Sequence, residues 1–367
     1  MTQRISVVGP VFPLPGGIAQ HTSRLTSELE QRGHDVTVES WSHQYPRWLY
    51  QGEIIVPSAN PEAPLPSRVN RDLAWFSPVS WWRVGRRLRR SEIVVLTVPS
   101  PFHAIPYSLL TQVAGSKPCI VGIFHNPEPH ESHLFDRALM KSITSWCGRI
   151  IVHNSAGEQY LRAISRVEQQ IDIAALPSPW TQPRTARTAS RKTGPLRLLF
   201  FGTVRPYKGL DILLEALAHS ESIELVVAGD FWEPIANYEA LIERFGIENR
   251  VALRPGYVPH EEFGEIFGEA DALVLPYRSG SGSIVREIAF DHGVPVIATN
   301  VGSIAESVVD GENGIVVSRP TVEGLVFALE TISQPETLRR LTEGATRLRR
   351  DQHAQWREYC EAITGGR

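Results

Sequence analysis

Two doubly wound α/β domains in tandem are what the sequence predicts, and three observations carry that reading. Twelve short β-rich runs recur along the chain, segments able to form helices separate them, and one stretch near the middle breaks the alternation. Strands alternating with helices give a parallel sheet covered on both faces. A chain of 367 residues is about two to three times a typical domain, so it can bury two cores.

In the first half the runs are "RISVVG", "HDVTVES", "SEIVVLTV", "CIVGIFH", "RIIVHN" and "IDIAAL". Between the first two, "GIAQHTSRLTSELEQRGHDV" puts Leu25 and Leu29 on one helical face and stops at Gly33, as a helix leading into a strand does. Residues 181–195, "TQPRTARTASRKTGP", lack apolar periodicity and are rich in Thr, Arg, Ser and Pro. They are read as a linker between a first domain at 1–180 and a second at 196–345. The second series is "LRLLFFG", "ESIELVVAG", "RVALRPG", "ADALVLPY", "GVPVIATN" and "NGIVVS", bridged by helical segments such as "GLDILLEALAHS". The terminal segment, 346–367, has no strand after it and is expected to be a helix packing across the two domains. In such tandem folds the carboxyl ends of both sheets face a cleft, where ligands are expected.

Composition narrows the function. A formal net charge of −3 gives no reason to expect nucleic acid. Cys119, Cys147 and Cys360 lie far apart without metal-ligand spacing, which suits reduced thiols in the cytoplasm. The N-terminal apolar stretch is broken by Pro10, Pro13 and Pro15, so neither a signal peptide nor a membrane span is expected.

One stretch points to chemistry. In "PYRSGSGSIVREIAF", Gly280, Ser281 and Gly282 precede Ser283 and a helix carrying Glu287. A helix start leaves backbone N–H groups without partners, and glycine lets a bound group approach them, so an anion such as phosphate fits there. Gly16 and Gly17, between the first strand and its helix, make a second place of that kind. The blander reading there is a simple strand-to-helix turn. A kinase is disfavoured, because no Gly-x4-Gly-Lys-Ser/Thr loop is present.

Four stretches together resemble the retaining, nucleotide-sugar-dependent glycosyltransferases of family four. They are "GGIAQHTSRLTSELEQRGHDVTV", "FFGTVRPYKGLDILLEAL", "LPYRSGSGSIVREIAFDHGVPVIATNVGSIAESVVDGENGIVV" and "HAQWREYCEAI", in the family's order and spanning nearly the whole chain. The resemblance implies the GT-B architecture, two Rossmann-like doubly wound domains facing a cleft. The first would bind the acceptor and the second the nucleotide sugar. Arg205 and Lys208 match the pair that holds the donor diphosphate; three residues apart after a strand, both can reach one end of the cleft. Read alone they are two solvated charges.

Glu287 matches the second glutamate of the family's Glu-x7-Glu motif, which binds the nucleotide ribose; otherwise it is a carboxylate facing the dipole of a helix start. The first glutamate of that motif is Ser279 here, which can hydrogen-bond a sugar but supplies no charge. His125, ending "CIVGIFH", matches the histidine that hydrogen-bonds the donor sugar, where a lone strand-end histidine is ordinarily structural. Gly229 and the "GYVP" stretch with Tyr257 and Val258 would line the cleft, the backbone near Val258 resembling the family's base contact. Glu306 matches a loop-positioning residue. His130 and His133 lack the His-Glu-x-x-His spacing and follow Pro127 and Pro129, so no metal site is expected.

"SWWRVGRRLRRSE", residues 80–92, carries Trp81, Trp82 and five arginines. Aromatics beside arginines suit an anionic membrane surface, where a lipid-linked acceptor is met, and equally suit a solvated, partly packed helix. The expectation is a cytoplasmic enzyme, peripheral at the inner face of the plasma membrane in the first case. It moves a hexosyl unit from a nucleoside diphosphate sugar to a hydroxyl of a glycan, lipid-linked or small-molecule acceptor, with retention and without a cofactor or metal. Two alternatives use the same phosphate site: a GT-B nucleotide-sugar epimerase, and a catalytically silent nucleotide-sugar-binding partner.

Overall fold

The computed structural model describes residues 2–14, 16–46, 67–127, 135–177, 194–280, 283–348 and 352–365. The chain divides into two units, Met1–Thr181 with Asp351–Arg367, and Gln182–Arg350. Most of the expected linker lies outside the described residues.

The first unit runs β1 (Arg4–Val8), α1 (Gly17–Gln31), β2 (Asp35–His43), β3 (Val69–Ala74), α2 (Pro78–Leu88), β4 (Ile93–Val98), α3 (Ala104–Ala114), β5 (Cys119–Phe124), α4 (Asp136–Trp146), β6 (Arg149–Val152), α5 (Ser155–Arg162) and β7 (Gln170–Ile173). Its sheet is parallel, in the order β3-β2-β1-β4-β5-β6-β7. β4, "IVVLTV", is buried throughout, as a central strand covered on both faces must be. Its alternate residues separate: Val94, Leu96 and Val98 join a core with α2, α3 and α4, whereas Ile93 and Val95 face α1.

The second unit runs β8 (Leu196–Phe201), α6 (Leu210–Ala218), β9 (Ile223–Gly229), α7 (Ile235–Phe245), β10 (Val251–Pro255), α8 (Phe263–Glu269), β11 (Ala272–Leu275), α9 (Ile284–Asp291), β12 (Val296–Thr299), β13 (Gly314–Val317), α10 (Val322–Ile332) and α11 (Pro335–Arg347). Its parallel sheet has the order β10-β9-β8-β11-β12-β13. Each sheet therefore has a switch point, β1/β4 in one and β8/β11 in the other. There successive connections leave in opposite directions and open a crevice at the strands' carboxyl ends.

The terminal helix, α12 (Gln352–Thr364), belongs to the first unit. Its Trp356, Tyr359, Cys360 and Ile363 recur at helical spacing and are all about 1% exposed. They cover the face formed by Ile5, Val7, Ile93, Val95, Val121, Ile123 and Ile151, beside Leu25 and Leu29 of α1. The expected tail helix is thus part of that unit's core. The β3 strand was not expected: "VNRDLA" is an edge strand in which only Leu73 and Ala74 are buried.

Candidate active site

In the second unit Arg205 and Lys208 after β8, Gly229 at the end of β9 and the residues leading into α9 meet at the β8/β11 switch point, whereas Tyr257 and Val258 follow the edge strand β10. β8 ends at Phe201, and the turn that follows from Gly202 carries Arg205 and Lys208 before α6 begins. Two glycines make the turn possible. At Gly229, φ is +149° and a Cβ would collide with the carbonyl oxygen of Gly202; at Gly209, φ is +69° and a Cβ would collide with that of Pro276. Arg278 fixes the same turn from β11's end: its guanidinium grips Asp211 at 2.7 and 2.5 Å and donates to Pro206 O, while its N–H donates to Tyr207 O.

Packed this way, Lys208 is only 7% exposed. Its Nζ lies 5.4 Å from the centre of the Tyr277 ring and 3.5 Å from where a Cβ on Gly202 would be. Burial, with a smaller contribution from Arg205, pulls its pKa below the ordinary value, against an opposing effect of Tyr207. Among the described residues neither cation makes an ion pair; Arg205 instead lies over the Trp232 ring, 4.3 Å from its centre. A buried ammonium with no carboxylate is costly unless an anion supplies one.

The helix start that would hold such an anion is adjacent. Ser283 is the N-cap of α9, and its hydroxyl lies 3.5 Å from the Tyr277 hydroxyl, whose ring carries Lys208 on its face. Gly280 and Ser279 are half-buried beside it; Ser281 and Gly282 lie outside the described residues. One turn into α9, Glu287 accepts from Arg286 Nε at 3.0 Å and Nη2 at 2.8 Å, and from Ser307 at 3.4 Å, all on Oε1. Its Oε2 makes no hydrogen bond among the described residues. Arg286, 8% exposed, also donates to the carbonyls of Ser303 and Ile304, tying α9 to the loop that carries exposed Glu306. Tyr257 is 40% exposed and Val258 half-buried beyond β10. Tyr277, Arg278 and Arg286 were not expected, because a tyrosine and two arginines in "PYRS" and "VREI" read as ordinary helix-flanking residues.

In the first unit, Gly16 caps α1 with φ +99° and open space around it, and Gly17 begins the helix. One turn on, His21 is buried against His125, with ring centres 5.1 Å apart, and stacks on Trp356 at 5.3 Å. His125 follows β5, and His153 follows β6 in the same register, since Phe124 pairs with Val152. The repeated strand ending "HN" at 125–126 and 153–154 was the available signal for His153. His130 and His133 lie outside the described residues. Among the described residues no group of His, Cys, Asp and Glu has metal-holding geometry.

Burial, followed by neighbouring histidines, holds His21 and His125 well below the ordinary pKa, and burial takes His153 down to about 4. The fold therefore takes up these protons less readily than the unfolded chain. Stability rises with pH across the window from about 4 to 6.5 and is lost as pH falls through it. For His21, fully enclosed, the slope is about 1.4 kcal/mol per pH unit. Thermal unfolding followed from pH 7 to 4.5 is expected to show a falling midpoint, and His21→Phe a shallower fall.

The segment at 80–92 divides. Trp81 is buried and donates Nε1–H to Ala74 O at 2.7 Å; Arg87 pairs with Glu39 and Asp72, and Arg89 donates to Val113 O. Trp82, 48% exposed with Arg86 over its ring at 5.0 Å, remains outward with Arg83; Phe76 and Val79, at the start of α2, and Arg90, beyond its end, are exposed as well. No described helix is long and apolar enough to cross a membrane.

Residues 182–348 match the family model described as Glycosyl transferases group 1, and residues 15–174 that described as Glycosyltransferase Family 4. The D-inositol 3-phosphate glycosyltransferase of Rhodococcus opacus (strain B4) is 31% identical over 207 residues, 52% of this chain and 46% of that protein. The match thus spans about half the length of that relative. The phosphatidyl-myo-inositol mannosyltransferase of Mycolicibacterium smegmatis is 25% identical over 355 residues, 92% of this chain and 86% of that protein. In fold, the chain is similar to Anabaena Alr3699/HepE in complex with UDP-glucose, with a TM-score of 0.78 at 14% identity, over 99% of this chain and 100% of that one.

Proposed function

This chain belongs to the glycosyltransferases of group 1 and family 4 and has their GT-B fold, and from that premise we propose that it transfers a hexosyl unit from a nucleoside diphosphate sugar to an acceptor hydroxyl, with retention. The observation that carries the proposal is Lys208, a buried cation without a carboxylate partner among the described residues, set beside Arg205 and the start of α9. In this reading the two cations and the N–H groups at residues 280–283 stabilise the departing diphosphate as positive charge develops on the sugar ring. Because they neutralise the leaving group themselves, donor binding needs no metal. The free oxygen of Glu287 accepts from the ribose hydroxyls, whose neutrality suits a carboxylate that would repel phosphate. Gly229, Tyr257 and Val258 are assigned to the base, Ser279, Gly16 and Gly17 to the donor sugar or its loop, and His125 to orienting the donor sugar.

The relatives named above act on an inositol phosphate and a phosphatidylinositol, which supports a polyol or lipid-linked acceptor. The test is incubation with UDP-, GDP- and ADP-hexoses and an acceptor panel containing inositol phosphates, with product anomers read by NMR. A glycoside retaining the donor's configuration is expected. Epimerised donor, or binding without turnover, would replace the reading with the corresponding alternative.

Exposed Phe76, Val79 and Trp82 at the start of α2, with Arg83 and with Arg86 over the Trp82 ring, support peripheral contact with anionic lipid. Co-sedimentation with anionic vesicles at low salt is expected, weakened by Trp82→Glu; equal sedimentation of both proteins would remove this contact.

A further inference from the structure

We infer that His153 is a positioning residue that fixes the tautomer of His125, so that His125 meets its ligand as a hydrogen-bond acceptor. His153 Nδ1 lies 3.1 Å from the carbonyl oxygen of Ala174. A carbonyl only accepts, so this nitrogen carries the hydrogen. Burial keeps the ring neutral, and its Nε2 is then a bare lone pair. That lone pair lies 3.2 Å from His125 Nδ1, which must therefore be the donor. His125 is held neutral as well, so its own Nε2 is left as a lone pair. This atom is buried and has no hydrogen-bond partner among the described residues.

The chain of bonds thus runs from His125 through His153 to the main chain, and it leaves one acceptor vacant. A hydroxyl O–H satisfies that acceptor; a phosphate oxygen or a carbonyl, which can only accept, does not. Sheet register builds the device. β5 and β6 are parallel neighbours with Phe124 opposite Val152, so the next residue of each strand carries its ring to the same end of the sheet. That the hydroxyl belongs to a sugar rests on the proposed function; the tautomer does not.

The test is long-range ¹H–¹⁵N NMR of protein labelled at histidine, with His125 assigned by the loss of its signals in His125→Asn. In the wild-type protein His125 is expected as the Nδ1–H tautomer. His153→Leu, which removes the acceptor, is expected to move it to Nε2–H, while His153→Gln, whose side-chain oxygen can accept from Nδ1–H, preserves it. Where transfer is measured, kcat is expected to fall by about ten- to a hundredfold in His153→Leu with KM for the donor little changed, and to be largely restored in His153→Gln. An Nε2–H tautomer at His125 in the wild type, or one unmoved by His153→Leu, overturns the inference. The wild-type spectrum decides it even if the leucine variant does not fold. The expected spectrum without any turnover would contradict the proposed function alone.

Discussion

Replacing Lys208 by methionine is expected to lower sugar transfer by about a hundred- to a thousandfold while leaving the unfolding temperature unchanged or higher. The two effects have one cause. Lys208 is 7% exposed, rests on the Tyr277 ring and makes no ion pair among the described residues, so the empty fold bears the cost of a desolvated charge. Methionine fills a similar volume without it. Removing about 1 kcal/mol of that cost raises the midpoint by about 2–4 °C. A bound diphosphate then loses one of the two cations assigned to it. A lower midpoint with unimpaired transfer would mean that Lys208 is structural.

The same burial gives a pH signature. Between the lowered pKa of Lys208 and the ordinary 10.5, the empty fold holds fewer protons than the unfolded chain, so its stability rises with pH there. A bound phosphate restores the charge. Nucleotide affinity is therefore expected to weaken as pH rises into that window, and to do so less in Lys208→Met.

Arg286→Met is expected to destabilise the second unit by about 2–4 kcal/mol. It strands the carbonyls of Ser303 and Ile304 and frees Glu287 from two bonds that hold Oε1. Nucleotide affinity should fall about tenfold or more with it. Glu287→Ala is expected to weaken nucleotide to a similar degree at a much smaller cost in stability, since the Glu287 side chain is 32% exposed. The two residues are in contact, so the double variant should lose less affinity than the sum of the singles. Additive losses, measured by calorimetry on both singles and the double, would show that Arg286 does not act through Glu287.

How much of this was legible follows from what each residue's neighbours reveal along the chain. The twelve apolar runs read as strands are strands, because a sheet covered on both faces demands continuous β-branched sequence. β3 escaped notice because an edge strand needs only part of its surface buried, and Asn70, Arg71 and Asp72 interrupt the pattern. The apolar spacing of Trp356, Tyr359, Cys360 and Ile363 announces an amphipathic helix. Which sheet face lacks a cover is set by residues more than two hundred positions away, such as Ile5 and Val121, and no local pattern carries that. Arg205 and Lys208 were visible as residue types, but the burial of one and the stacking of the other arise from Tyr277, after β11, and Trp232, after β9, both far along the chain. Adjacent Trp81 and Trp82 looked equivalent; the helix turns one into the core and the other outward.

The measurement that tests the central claim most directly is calorimetric titration of the whole chain with UDP, GDP and ADP, with and without EDTA, alongside Lys208→Met. Saturable binding of one nucleotide, insensitive to EDTA and lost or strongly weakened in the variant, is the predicted result. Absence of binding to all three, or equal binding by a folded Lys208→Met protein, would contradict the assignment of this switch point as the donor site.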